Sequence, residues 1–286
     1  MPKPITFYRS QLEKKLKSRG DDPDLPILSL PDLNKKIWGI HKGKLTVIGG
    51  RTSNGKSAFA MQIAYDLACQ DKGVLYLSLE MDTLNLLERV FCLHSNVDNM
   101  DLLHGRFDQV KYDQFMEEAK KIKLVVDDSI GKTWHEIEKH IAGMSVKPDV
   151  IIIDYIQTIK KSGMQERAVI DEYPRNLREM AIRDNFAAII VSQINRSSQE
   201  EGDKKPQLHN LKGTGFLEEH ADVVMLVHWD SRSGTSKDPN KFTLFVAKNK
   251  DGRTGYVGLK FYPQYYLFKD EGTDERKGQI QVNWQD

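Results

Sequence analysis

The most specific chemistry in the chain is carried by eight consecutive residues. Gly50-Arg51-Thr52-Ser53-Asn54-Gly55-Lys56-Ser57 matches G-x-x-x-x-G-K-[ST] without a gap. Gly50 and Gly55 let the backbone curl so that its N–H groups face an anion. Lys56 is spaced to reach the β- and γ-phosphates of a nucleoside triphosphate, and the Ser57 hydroxyl to bind Mg²⁺. A helix starting near Ser57 would aim its positive end at the same anion. The implied chemistry is binding and hydrolysis of ATP with Mg²⁺.

Other residues fit that chemistry by position. Asp154 ends the apolar run Val150-Ile151-Ile152-Ile153. A carboxylate at the C-terminal end of a buried parallel strand lies where such sheets bind ligands, and it can hold Mg²⁺ through a water. Glu80 follows the apolar run Val74 to Leu79. It suits a base for the attacking water, or an acid set against a helix dipole. Gln193 stands just past Ala187 to Val191. A neutral amide there can bond the γ-phosphate and report its loss. Lys248, Lys250 and Arg253 surround Asp251-Gly252. They read either as a solvated hairpin tip or as a basic finger for a neighbour's nucleotide.

Positioning these residues requires a particular frame. Lys44 to Ile48 is expected as the strand entering the Gly-rich loop, with Ser57 to Gln70 helical after it. Val74 to Leu79, Lys123 to Val126, Val150 to Ile153 and Ala187 to Val191 read as further buried strands. Thr83 to His94 and Ala168 to Asp184 read as helices, with Pro174 kinking the second or delaying its start. Thr133 and Glu136 form a capping box. Apolar strands alternating with helices predict a mostly parallel sheet flanked by helices. Val223 to Val227, Phe242 to Ala247, Tyr256 to Phe261 and Tyr265 to Phe268 then add antiparallel strands, turned at Asp251-Gly252. Thr6 to Gly20 reads as a separate amphipathic helix and Asp21 to Pro26 as a linker, which sets a domain boundary between residues 1–26 and 27–286. The polar stretch Asn195 to Leu211 reads as a functional or disordered loop.

Composition narrows the class. The 286 residues are 39% hydrophobic and 29% charged, as in soluble globular chains. No apolar run suits a membrane helix or a secretory leader, so no membrane role is expected. Cys69 and Cys92 suggest no disulfide framework, which points to a reducing, cytoplasmic compartment. A net charge of +1 excludes a globally basic nucleic-acid binder. Nucleic-acid contact would need a local cluster, or a patch repeated by oligomerisation.

Together these segments resemble the RecA-like ATPase domain of DnaB-type replicative helicases, from about Leu28 to Phe268. Gly50 to Ser57 is similar to that family's Walker A loop, and Ile153-Asp154-Tyr155-Ile156-Gln157 to its Walker B segment. Ser78-Leu79-Glu80-Met81 is identical to a family tetrapeptide whose glutamate is the catalytic base. Ser192 to Ser197 resembles the sensor segment. Leu211-Lys212-Gly213-Thr214-Gly215, followed by Ala221-Asp222-Val223-Val224, resembles the DNA-contacting loop and the next strand. The segment around Lys248-Asn249-Lys250 falls where the family has its finger, usually Lys-x-Arg.

The resemblance implies an α/β fold of the RecA-like P-loop NTPase class. It implies catalysis by Glu80, Lys56, Gln193, Lys248 and Lys250, and nucleotide binding by residues 50–57 with Asp154. Mg²⁺ would fall to Ser57 and Asp154. DNA contact would fall to Lys212, Gly213 and Gly215, with Asn195 and Arg196. Single-stranded DNA, a homo-oligomeric hexameric ring or spiral, 5′ to 3′ movement and replisome partners such as a primase or loader are further implications. So is a bacterial or phage-infected cell. The family's helical N-terminal domain is expected to be missing, and residues 6–20 resemble the linker helix that packs on a neighbour. The rival expectation is a RecA-like ATPase that binds DNA or partners without unwinding.

Overall fold

The computed structural model describes residues 4–10, 12–13, 23–128, 132–156, 166–194, 205–211 and 215–272. Nine strands form one sheet: β1 Leu45–Gly50, β2 Val74–Ser78, β3 Leu124–Asp128, β4 Val150–Asp154, β5 Ala187–Gln193, β6 Val223–Trp229, β7 Lys241–Asn249, β8 Gly255–Tyr262 and β9 Leu267–Asp270. Their order is β3-β2-β4-β5-β1-β6-β7-β8-β9. Strands β3 to β6 in that order are parallel, and β7, β8 and β9 extend the sheet antiparallel. The fold is the α/β arrangement expected from the sequence.

The central strands are apolar throughout because both sheet faces are covered. On one face lies the Lys56–Cys69 helix, with Phe59, Ile63 and Leu67 fully buried. On the other, the Glu166–Asp184 helix buries Leu177, Met180 and Ala181. Pro174 sits inside this helix, which starts at Glu166 and neither ends nor begins at the proline. Pro174 forgoes one helical hydrogen bond. Packing compensates: Tyr173 beside it stacks on Trp134 with centroids 5.1 Å apart.

Most strands and helices fall within a few residues of expectation. Strand β5 runs on to include Gln193, and β9 starts only at Leu267, after a 3-10 turn over Pro263–Tyr265. Three shorter helices, Pro31–Ile37, Asn99–Leu103 and Gln109–Ala119, were not anticipated from periodicity. Thr133 and Glu136 do form the capping box. The described part of the N-terminal segment is a 3-10 turn over Ile5–Tyr8 followed by α-helical residues 9–10 and 12–13, and residues 11 and 14–20 of the expected helix lie outside the described residues. Within the segment read as linker, Leu25 is fully buried and bridged to Ile40.

The antiparallel extension is anchored to the helix that follows the Gly-rich loop. Gln62 is fully buried; its Nε2 donates to Phe268 C=O at 2.9 Å, and its Oε1 accepts from Phe268 N–H at 2.6 Å. Phe268 also stacks on Phe261 at 4.2 Å and meets Phe59 and Phe242 edge-on. Gln62→Leu should therefore strand two buried backbone groups, at about 1–3 kcal/mol each. The expected fall in Tm is roughly 5–15 °C. A melting curve within about 2 °C of wild type would show that the aromatic cluster alone holds β9.

Candidate functional site

Register brings the chemistry to one edge of the sheet. Gly50 pairs with Gln193, and Ser78 pairs with Asp154. The C-terminal ends of β1, β2, β4 and β5 therefore open onto the same cleft, of about 730 Å³. Thr52, Ser53, Gly55, Lys56, Ser57, Glu80 and Gln193 line it.

Two glycines are required by contact and by backbone. A Cβ on Gly50 would lie 2.3 Å from a Val227 methyl, and Gly55 has φ +80° above the Phe268 ring. The loop folds on itself: Lys56 Nζ donates to Arg51 C=O at 2.9 Å, and Gln193 Nε2 donates to the Thr52 hydroxyl at 2.7 Å. Asn54 is buried beside them.

Lys56 and Asp154 are opposite charges held largely out of water. Burial pulls the Lys56 ammonium below its ordinary value, while Asp154 and Glu80 push it back up. Burial raises the Asp154 carboxyl above the usual range. Hydrogen bonds from Tyr76 and Ser57, and the charges of Lys56 and Arg89, oppose that rise. Tyr76 OH donates to Asp154 Oδ2 at 2.6 Å. Asp154 Oδ1 is buried with no hydrogen-bond partner among the described residues. An orphaned carboxylate oxygen beside a serine hydroxyl fits a hard, oxygen-liganded cation such as Mg²⁺.

Glu80 sits on the turn between β2 and the Thr83–Ser95 helix. That turn is tied by Ser78, whose hydroxyl accepts from Met81 N–H at 3.0 Å. Asp82, not Glu80, caps the helix, accepting from Asn85 N–H. Glu80 is exposed and faces the cleft. Its position leaves the helix-start role to another carboxylate.

Lys248 and Lys250 are elsewhere. Lys248 pairs in register with Val224 at the start of β6, and Lys250 lies just past β7. Asp222 N–H bonds Leu45 C=O, so this is the edge where β1 begins. The strand separates it from the Gly-rich loop by about 17 Å, at about 3.3 Å per residue. Arg253 is exposed at the same hairpin. Asn195, Arg196, Lys212 and Gly213 lie outside the described residues; Gly215 opens a short helix, Gly215–His220.

The cleft also holds residues with no sequence signal. Arg89 lies 5.0 Å over the Tyr266 ring. Arg232 lies over Trp229 and donates to Ser53 C=O at 3.0 Å. Tyr76 is invisible to motif reading because its role depends on which strand lies beside β2.

A family model described as DnaB-like helicase C-terminal domain matches residues 27–270. The replicative DNA helicase DnaB of Rickettsia typhi is 28% identical over 276 residues, covering 84% of this chain and 55% of the relative. The replicative DNA helicase DnaC of Bacillus subtilis is 27% identical, covering 87% and 57%. The chain thus spans little more than half the length of these relatives. A solved structure of an isolated ATPase domain superposes with a TM-score of 0.84 at 23% identity, covering 94% of this chain and 99% of that one. A DnaB-like replicative helicase, solved in a study of its interactions with primase, gives 0.83 at 24%, covering 93% and 68%. At such identities the two structures speak to fold.

Asp154→Asn tests the buried charge. With its pKa raised, the folded carboxyl contributes stability below the ordinary carboxylate range and loses it as pH rises through the raised value. At neutral pH the amide should therefore melt a few degrees higher than the wild type. A lower Tm would show that the ionised carboxylate is already fully compensated.

Proposed function

The chain belongs to the family of DnaB-like helicase C-terminal domains, and from that membership we propose that it is an ATP-driven motor of the replicative type, translocating on single-stranded DNA. One observation carries the reading furthest. Lys56, Glu80 and Gln193 line one cleft, with Asp154 buried at its edge against Ser57, while Lys248 and Lys250 lie at the opposite sheet edge. A site divided in this way is complete only where one subunit's cleft meets another's hairpin, as in a ring or spiral.

In this reading the loop N–H groups and Lys56 hold the β- and γ-phosphates of ATP. Ser57 and Asp154 would hold Mg²⁺, which when bound neutralises charge on the phosphate oxygens. Glu80 accepts a proton from the water that attacks the γ-phosphorus, and the bond to the β-bridging oxygen breaks. Lys248 and Lys250 of the adjoining subunit stabilise the charge that develops. Gln193 bonds the γ-phosphate and reports its loss to the segment containing Lys212, Gly213 and Gly215. That segment, with Asn195 and Arg196, tracks phosphates of one strand, 5′ to 3′. Six such segments around a channel would reconcile DNA binding with a net charge of +1.

Residues 1–26 would serve as an arm packing on the neighbour, for which exposed Phe7, Tyr8 and Leu12 are suited. Residues 27–286 would be the motor domain. Primase and loader contacts belong to the same reading, as does work in the cytoplasm of a bacterial or phage-infected cell. Among the described residues no helix is long and apolar enough to cross a membrane. Strand displacement on a forked duplex separates this motor from a RecA-like ATPase that binds without unwinding.

Glu80→Gln should bind ATP normally and lose about 10²-fold or more in turnover, as expected for loss of a general base. Lys250→Ala should lower turnover by a comparable factor with little change in ATP affinity. Mixed, the two variants should recover ATPase, since some interfaces pair an intact Glu80 with an intact Lys250. Co-assembly without recovery would place both residues in one subunit's site, or leave Arg253 as the finger.

Lys212→Ala should weaken single-stranded DNA binding equally on all sequences and reduce the salt slope by about 1. Unaltered affinity at every salt concentration would remove this segment from the DNA site.

A further inference from the structure

Both lysines assigned above to a neighbour's phosphates are engaged within their own chain. Lys250 Nζ pairs with Asp222 Oδ1 at 3.0 Å, and Lys250 N–H donates to Asp222 C=O at 2.9 Å. Lys248 Nζ donates to the carbonyls of Glu218 and Glu219. These carbonyls close the Gly215–His220 helix, where an ammonium group satisfies the last C=O groups. The helix begins immediately after residues 212–214, the segment that contains Lys212.

Asp222 is the hub. It is 4% exposed, and its Oδ2 accepts from Leu45 N–H at 3.0 Å and from Arg178 Nε at 3.1 Å. Arg178 Nη2 reaches Oδ1 at 3.3 Å. Two donors besides Lys250 therefore keep this carboxylate compensated. If Lys250 leaves, Arg178 still balances the charge, so its departure leaves no buried ion unpaired. Lys248 is held only by neutral carbonyls in the contacts above, which a phosphate oxygen outbids through a charge-assisted bond.

We propose that Asp222 is a positioning residue that parks Lys250, and with it the Lys248 cap on the Gly215–His220 helix, until a triphosphate on the neighbouring subunit draws both lysines away. This rests on the finger reading given above. Engagement of the neighbour's phosphate uncaps the helix adjoining the DNA-contact segment. Loss of the γ-phosphate returns the lysines to Asp222 and to the helix end. Because coupling free energies are reciprocal, DNA that favours the uncapped helix also favours lysine release towards the neighbour.

The test is hydrogen exchange on the full chain with Mg²⁺ and a non-hydrolysable ATP analogue, at a concentration where native mass shows an oligomer. Amides of residues 217–222 should exchange several-fold faster with analogue than without, and Lys56→Ala should show no such change. Unchanged or slower exchange in analogue-bound wild type overturns the proposal. A second arm is Asp222→Asn, checked for folding by its melt. DNA-free turnover should rise several-fold and stimulation by DNA should shrink accordingly. Reduced DNA-free turnover in a variant that melts like wild type also overturns it; if the variant does not fold, the exchange result decides. Normal turnover by Lys250→Ala would instead mean that the underlying finger reading has failed.

Discussion

Lys56 opens the helix that follows β1 and its Gly-rich loop, Asp154 ends β4, two places from β1 in the sheet, and the charges of both are largely removed from water. Burying a charge is costly unless something compensates it. Here the compensation is partial: a Tyr76 hydroxyl, the Ser57 hydroxyl, and the field each charge exerts on the other. Asp154 Oδ1 remains orphaned at the strand end. Much of the fold serves to hold this under-satisfied pair. Apolar strands packed on both faces fix the strand ends, and the aromatic cluster around Phe268 lies directly under the Gly55 turn. A pair held this way would be compensated further by an anion at Lys56 and a cation at Asp154.

A second consequence follows from strand direction. Parallel strands place all their C-terminal ends at one edge, so a cleft there gathers residues from β1, β2, β4 and β5. The antiparallel β7 reverses that sense and delivers Lys248 and Lys250 to the other edge. No rotation of lysine side chains spans the strand between. The same geometry places the two lysines beside Asp222 and the Gly215–His220 helix, so one side of the chain carries the Gly-rich loop and the other the hairpin lysines.

The Gly-rich turn after β1, the placing of Asp154 at a strand end and the alternation of strands and helices were legible because each is local: a contiguous motif, an apolar run, a carboxylate at its end. Register was not. Tyr76 reads as one more core residue until β2 is known to pair with β4. Arg89 and Arg232 have no spacing signature, because one arrives on a helix and the other after β6. Pro174 reads as a helix breaker, yet tertiary packing of Tyr173 and Leu177 outweighs one lost hydrogen bond. The hairpin lysines were visible as a charged turn, but their partner Asp222 is 28 residues away in sequence and meets Lys250 only through the β6–β7 pairing.

In the motor proposed above, the catalytic site is shared between subunits. ATP turnover per chain, measured across chain concentrations that take the protein from monomer to its largest assembly by native mass, tests it most directly. Turnover near zero in the monomer, rising with the assembled fraction to a plateau, is the expected result. Turnover per chain that stays constant down to the monomer would contradict it.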